Sequence, residues 1–225
     1  MSSRGSVTVA ASARRATQVE RSARTRNALL ESAARGLSRY GYSNLNLERV
    51  AADAGYTRGA LYHQFADKQA LVLAVIDWVD QTWQLEVGRL VAAERDPAIA
   101  LILLARGHAV YCRRDVARVA IALRLEFAGQ EHPVGRHLER VSAGFLTRCT
   151  RLISAGRRAG SLPAGPPATA LALGFFGALE GTVIQLAGQA PHDQLLAARA
   201  AAGVLGLERV PEAAWQASVG GEARG

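Results

Sequence analysis

Residues 47–71 read LERVAADAGYTRGALYHQFADKQAL, two short helical runs joined at a glycine. Leu47, Val50, Ala51 and Ala54 recur at helical spacing. Gly55 stands where a left-handed terminating residue is needed, and Thr57 caps a second run carrying Arg58, Ala60, Leu61, Tyr62, His63 and Phe65. A small Ala51 lets the second helix cross close over the first, Gly55 allows the sharp turn, and Leu61 locks the pair from beneath. The second run is basic and aromatic, so the segment reads as a helix-turn-helix whose second helix faces DNA. Arg58 sits in its first turn, where a guanidinium fork reaches a guanine edge. Gly59 lets the backbone approach the groove, and Ala60 offers contact to a thymine methyl. Thr25, Asn46 and Thr57 lie at predicted helix starts, where they serve as caps or phosphate contacts.

The wider stretch TRNALLESAARGLSRYGYSNLNLERVAADAGYTRGALYHQFADKQALVLAVID resembles the DNA-binding domain of the TetR family of transcriptional regulators over roughly residues 24 to 78. The likeness lies in a first helix ending in Gly-Tyr, a capped second helix, Ala-Gly, a Gly-x-Leu-Tyr helix ending in Phe, and an Asp-Lys step into a fourth helix. Asn46 replaces the family's usual Ser or Thr cap, Tyr56 its apolar residue after the turn, and Gln64 its frequent His. The resemblance implies DNA contacts from Tyr62 and His63 and a phosphate contact from Lys68. Tyr56 joins them as a candidate. It also implies a homodimer on double-stranded operator DNA and a variable helical domain enclosing a small-molecule effector.

Composition agrees with that partner. The 225 residues carry a formal charge of +8, and 49% hydrophobic against 20% charged residues reads as globular. Up to Lys68 there are 11 basic against 5 acidic side chains, and from Gln69 onward 16 against 14, so the positive field lies with the helix-turn-helix. On this reading no apolar run reaches membrane-spanning length, because Glu180, Gln185 and several glycines interrupt the most apolar window, Ala168 to Ala190. No apolar signal core opens the chain, and only Cys112 and Cys149 are present, so a cytoplasmic location is expected.

The expected fold is all-α with about nine helices. It comprises an N-terminal three-helix helix-turn-helix DNA-binding domain and a C-terminal helical domain for ligand binding and dimerisation. Residues 1–20 read as a disordered basic arm, 21–68 as the DNA-binding domain, 69–207 as the helical domain and 208–225 as a loose tail. Asp67 caps a fourth helix running to about Ala93, roughly 40 Å long, which would link the halves. Candidate pocket residues, resting mainly on the resemblance, are Trp78 and Trp83 on that helix, His108, Tyr111 and Cys112, Leu123 and Phe127, Phe145, and Phe175 with Phe176. Arg124, Glu126 and Thr182 are candidate polar lining. Gly174, Ala178, Gly181 and Gln185 share a face of the predicted helix after Pro167, and Leu195, Ala198, Ala202 and Leu205 lie on the next. Together they resemble the family's dimer-forming bundle.

No G-x-x-x-x-G-K, G-x-G-x-x-G or G-x-S-x-G pattern occurs, so neither an enzyme nor a cofactor is expected. His108 and Cys112 have the spacing of two metal ligands, with His132 and His137 after a turn, but two ligands do not complete a site, and no metal is expected. The expected function is a ligand-responsive repressor released from a pseudo-palindromic operator. A ligand-insensitive architectural DNA-binding protein and an all-helical enzyme remain open alternatives.

Overall fold

A computed structural model describes residues 5–186 and 188–219, with side chains from residue 17 onward. All regular structure among them is helical. The order is α1 (Gly5–Tyr40), α2 (Leu47–Asp53), α3 (Arg58–Gln64), α4 (Lys68–Trp83), a π-helical turn (Gln84–Gly88), α5 (Arg89–Ala93), α6 (Pro97–Tyr111), a 3₁₀ turn (Asp115–Arg118), α7 (Val119–Glu126), α8 (Pro133–Ala159), α9 (Ala168–Leu186), α10 (His192–Val204) and α11 (Ala213–Gln216). α4, the π turn and α5 follow one another without a break, as the expected linking rod does. The π turn begins directly after Trp83, and Gly88 lowers local α-helical preference at its end.

The helix-turn-helix forms for the reasons its sequence suggests. Asn46 accepts from the amides of Glu48 and Arg49 at 2.9 and 3.0 Å, Thr57 from Ala60 at 3.2 Å and Asp67 from Ala70 at 2.7 Å, so α2, α3 and α4 are each side-chain capped. Gly55 takes φ +78°. Val50, Ala51, Leu61 and Phe65 close over Leu29, Leu30, Ala33 and Leu37 of α1, and Leu45, just before α2, is buried with them.

Two hydrophobic cores result, and they do not divide at residue 68. The first contains α1 to α3, but also Leu71, Val72, Val75 and Ile76 of α4, Val116, Val119, Leu123 and Phe127 around α7, and Val134 and Leu138 of α8. The second surrounds α6, buried on nearly every side by α8, α9 and α10. Arg113 fixes the end of α6 to α10 through a bidentate pair with buried Asp193 at 2.8 and 2.9 Å.

Several expectations need correction. Helix begins at Gly5, so residues 5–20 are not an irregular arm; Ala and Arg favour helix without tertiary support. The arm's arginines that the sequence offers to a DNA groove, Arg4 and the side chains of Arg14 and Arg15, lie outside the described residues. Thr25 is therefore inside α1, donating to the carbonyl of Arg21 at 3.0 Å, rather than at a helix start. The tail is ordered as far as residue 219: Val210, Ala214 and Val219 are buried, Arg106 donates to the carbonyls of Ala214 and Ala217, and it lies 4.8 Å over the Trp215 ring. Residues 220–225 lie outside the described residues. α9 is also apolar enough to cross a bilayer by length and composition, with mean hydropathy 1.4 over 18 residues, because one glutamate and one glutamine do not offset its aliphatic content.

At Gly55 a β-carbon would meet nothing within 4 Å, so the demand for glycine is conformational alone. Gly55→Ala should cost about 1–2 kcal/mol, the penalty of a left-handed non-glycine residue. Urea unfolding checks this, and a loss above about 3 kcal/mol would place a steric contact there instead.

Candidate DNA-reading surface and effector cavity

α3 presents Thr57, Arg58, Gly59, Tyr62 and His63 to solvent, while Tyr56 and Ala60 are half-buried. Asn46 is exposed at the start of α2. Arg58 donates to Glu48 at 2.5 Å and lies 5.4 Å over the Tyr62 ring. The Arg58–Glu48 pair is well exposed and therefore weak, so the guanidinium can exchange Glu48 for another acceptor. The far end of α3 is held by three contacts that sequence reasoning missed. Arg26 donates to the Gln64 carbonyl at 3.3 Å and stacks on Phe65, and the Gln64 amide reaches Ser22 at 3.1 Å. Both side chains come from α1, and no local pattern links positions so far apart.

Lys68 is not a free cation. It donates to the Ser43 carbonyl at 3.0 Å and lies 4.9 Å over the Tyr42 ring. Glu126, expected as pocket lining, turns instead to this α1–α2 loop. It accepts from the amides of Tyr42 and Ser43 at 2.5 and 2.7 Å and from the Ser43 hydroxyl at 2.6 Å. Burial pushes its carboxyl up, but these hydrogen bonds and the Lys68 charge outweigh it and hold the pKa below the usual range.

In the second half, a cavity of about 110 Å³ lies between α4, α6, α7, α8 and α9. Of the sequence candidates, Trp83, His108, Tyr111, Cys112, Phe145 and Phe176 line it, with Arg124 and Glu180 as its charged pair. The other candidates point elsewhere. Phe175 is fully buried in the second core, Trp78 and Leu123 pack in the first, and Phe127 stacks on His132 with ring centroids 4.4 Å apart. Phe175 and Phe176 illustrate the reason: adjacent residues on a helix point about 100° apart, so only one can face the cavity. Thr182 bonds back to the Ala178 carbonyl at 2.8 Å. A wider groove of about 320 Å³ shares Arg124, Leu138 and Ser142 with the cavity, so Arg124, bonded to Ser142 at 3.0 Å, stands at the junction of the two.

The polar groups inside are matched. The indole N–H of Trp83 reaches Nδ1 of His108 at 3.1 Å. An indole only donates, so Nδ1 accepts and the imidazole carries its proton on Nε2. Burial lowers the His108 pKa to about 4 and raises Cys112 and Cys149 to about 12, leaving a neutral imidazole and protonated thiols. Tyr111, pushed up to about 12 by burial, bonds Thr82 at 2.7 Å and the Val79 carbonyl. His132 caps α8 through Nδ1, and His137 bonds Asp77 at 2.6 Å. No cluster of three metal-ligating side chains occurs among the described residues.

The sequence profile of bacterial regulatory proteins, tetR family, matches residues 29–75, the stretch that builds this surface. Over that stretch the chain is similar to the tetR family. Among curated TetR-type relatives, the A-factor receptor protein of Streptomyces griseus is 30% identical over 118 residues, covering 51% of this chain and 41% of that protein. The HTH-type transcriptional regulator CymR of Pseudomonas putida is 37% identical over 68 residues, 30% of this chain and 34% of that one. The chain thus matches less than half the length of either. Similarity of fold extends further. The TetR-family regulator SCO4454 of Streptomyces coelicolor aligns with TM-score 0.67 and 21% identity over 81% of this chain and 95% of that structure. AibR, in complex with isovaleryl coenzyme A and operator DNA, aligns with TM-score 0.64 and 19% identity over 80% and 98%. The chain therefore shares the helical fold of these structures.

Because His108 is neutral when folded and protonates near 6.5 when unfolded, the unfolded state binds the extra proton as pH falls. Its contribution to stability is full above about pH 6.5 and declines between 6.5 and 4. The slope should approach 1.4 kcal/mol per pH unit. Comparing unfolding of the wild type and His108→Gln across that window checks this; parallel curves would show that His108 does not titrate there.

Proposed function

We propose that the protein is an effector-controlled transcriptional repressor that binds a pseudo-palindromic operator as a homodimer. One observation carries this reading: α3 exposes Arg58, Gly59, Tyr62 and His63 on a three-helix unit whose core includes part of the wall of an apolar cavity. Arg58 would read a base edge, Asn46, Thr57, Tyr62 and Lys68 would meet the backbone, and Tyr56, Ala60 and His63 would flank the groove. Two copies of α3 would enter successive major grooves about 34–36 Å apart.

The dimer reading is supported by α9. Leu173 and Ile184 are each 60% exposed, and Leu195 and Leu196 of α10 are 44% and 45% exposed. A β-carbon at Gly177 or Gly181 would meet nothing within 4 Å, so these glycines, each costing about 1 kcal/mol in a helix, have no reason within their own chain. Close approach of a partner's helix supplies one. Gly174, Gly181, Gln185 and Leu195 of the expected seam are exposed, and Ala178 is half-buried. Ala198, Ala202 and Leu205 are instead buried in the chain's own second core, because α10 lies directly on α6. On α10 the seam would therefore use Leu195 and Leu196.

The effector would occupy the cavity, with its apolar body against Trp83, Phe145 and Phe176 and a polar end at Arg124. A neutral His108 and a protonated Cys112 favour binding over catalysis there, and we propose no enzymatic role. The site of action would be the cytoplasm, beside the DNA.

Arg58→Ala should relax preference at one operator position by about 1–3 kcal/mol and leave the others unchanged. Binding to a set of point-substituted duplexes tests this, and a uniform loss would reassign Arg58 to phosphate. Gly181→Leu should overpack the seam by roughly 1–3 kcal/mol or more. Sedimentation should then show monomers, and a mutant still dimeric at micromolar concentration would move the interface elsewhere.

A further inference from the structure

The segment from Asp115 to Phe127 belongs to both halves of the molecule. Val116, Val119, Leu123 and Phe127 are buried in the N-terminal core, while Ala120, Ile121 and Arg124 wall the cavity. Its two ends are tied to the N-terminal unit. Asp115 pairs with Arg39 of α1 at 3.0 Å across solvent-exposed side chains, a weak link. Glu126 makes the stronger one, accepting three hydrogen bonds of 2.5–2.7 Å from the Tyr42 amide and the Ser43 amide and hydroxyl. A carboxylate bonded to two consecutive backbone amides fixes a loop as no pair of mobile side chains does. Gly41 makes the approach possible. It holds φ +71°, and a β-carbon there would lie 2.6 Å from Glu126 Oε2. From the other side Lys68 donates to the Ser43 carbonyl at 3.0 Å, so the loop that Glu126 grips also holds the ammonium at the start of α4.

We infer that Glu126 is a positioning residue for DNA binding. Through the α1–α2 loop it sets the place from which Lys68 meets a DNA phosphate, and it ties that place to the cavity wall on α7. The inference rests on the DNA-binding reading above. A carboxylate near DNA also repels phosphate, so charge alone would make its removal strengthen binding. The anchoring role demands the opposite sign, and that difference makes the two separable.

The test uses a duplex selected by the full-length wild-type chain from a random pool. Its affinity is measured against salt for the wild type, Glu126→Ala, Lys68→Ala and the double variant. Melting and sedimentation confirm that each variant is folded and assembled as the wild type is. Glu126→Ala should weaken binding about tenfold, as loss of a charge-assisted contact does, and flatten the salt dependence by about one ion per subunit. The double variant should bind no more weakly than Lys68→Ala. Hydrogen exchange over residues 40–46 should quicken in Glu126→Ala but not in Lys68→Ala. Tighter or unchanged binding by Glu126→Ala, or losses that multiply in the double variant, would overturn the inference alone. A wild-type chain that selects no duplex would overturn the DNA-binding reading and this inference with it.

Discussion

Burial of Val119, Leu123 and Phe127 against α1 and α4 is the constraint on which the rest of the structure depends. These residues belong by chain order to the C-terminal half, yet they complete the core of the helix-turn-helix unit. One helix face therefore closes one core while the next face walls a cavity. Close-packed interiors do not deform continuously, so any shift of α7 has to be taken up by the N-terminal core as well. α4 contributes a second connection, since Leu71 to Ile76 lie in the first core and Trp83 in the second. The two halves are thus coupled by shared hydrophobic packing rather than joined by a hinge.

The cavity's chemistry follows from the same burial. Among aromatic and aliphatic walls, Arg124 and Glu180 are bonded to each other, and Arg124 also to Ser142 and over the ring of Phe176. Pairing is what makes charges tolerable in such a place, because either ion alone would carry an uncompensated desolvation cost of several kcal/mol. Burial lowers the Arg124 pKa, though not its role as a donor. Titratable groups that sit deeper respond by staying neutral. His108 accepts from Trp83, and Cys112, 3.6 Å from His108 Nε2, keeps its proton. The result is a largely apolar chamber with its ion pair at Arg124 and Glu180.

α9 shows how composition and exposure have to be weighed together. Its hydropathy passes the test for a membrane span, and only 22% of the apolar window is buried within the chain. Yet Phe175, Leu179 and Val183 are buried in the second core, so one side of the helix is committed to protein packing. The other side combines exposed Leu173 and Ile184 with glycines that have space above them. A face of small residues flanked by large ones suits the close approach of another helix.

Much of the helix-turn-helix was legible in the linear chain because its signals are local. Caps at Asn46, Thr57 and Asp67, the turn at Gly55 and the apolar positions of α2 and α3 all act over fewer than six residues, and each has the expected partner. The order of helices and the aromatic half of the cavity, Trp83 with His108, Tyr111, Phe145 and Phe176, were likewise readable as a cluster on successive helices. Side-chain direction was not. Whether Phe175 or Phe176 faces the cavity depends on how α9 is rotated against α6, and whether Ala198 and Ala202 face a partner or their own core depends on where α10 docks. Glu126 illustrates the limit most sharply. By sequence it is an acidic residue at the end of a helix in the second half, and only folding brings it to Tyr42 and Ser43, more than eighty residues away. Local sequence determines which helices form and where they stop, because backbone hydrogen bonding and capping are settled within a few residues. Tertiary structure alone decides which face each helix shows to the others, because that choice minimises exposed apolar surface over the whole chain at once.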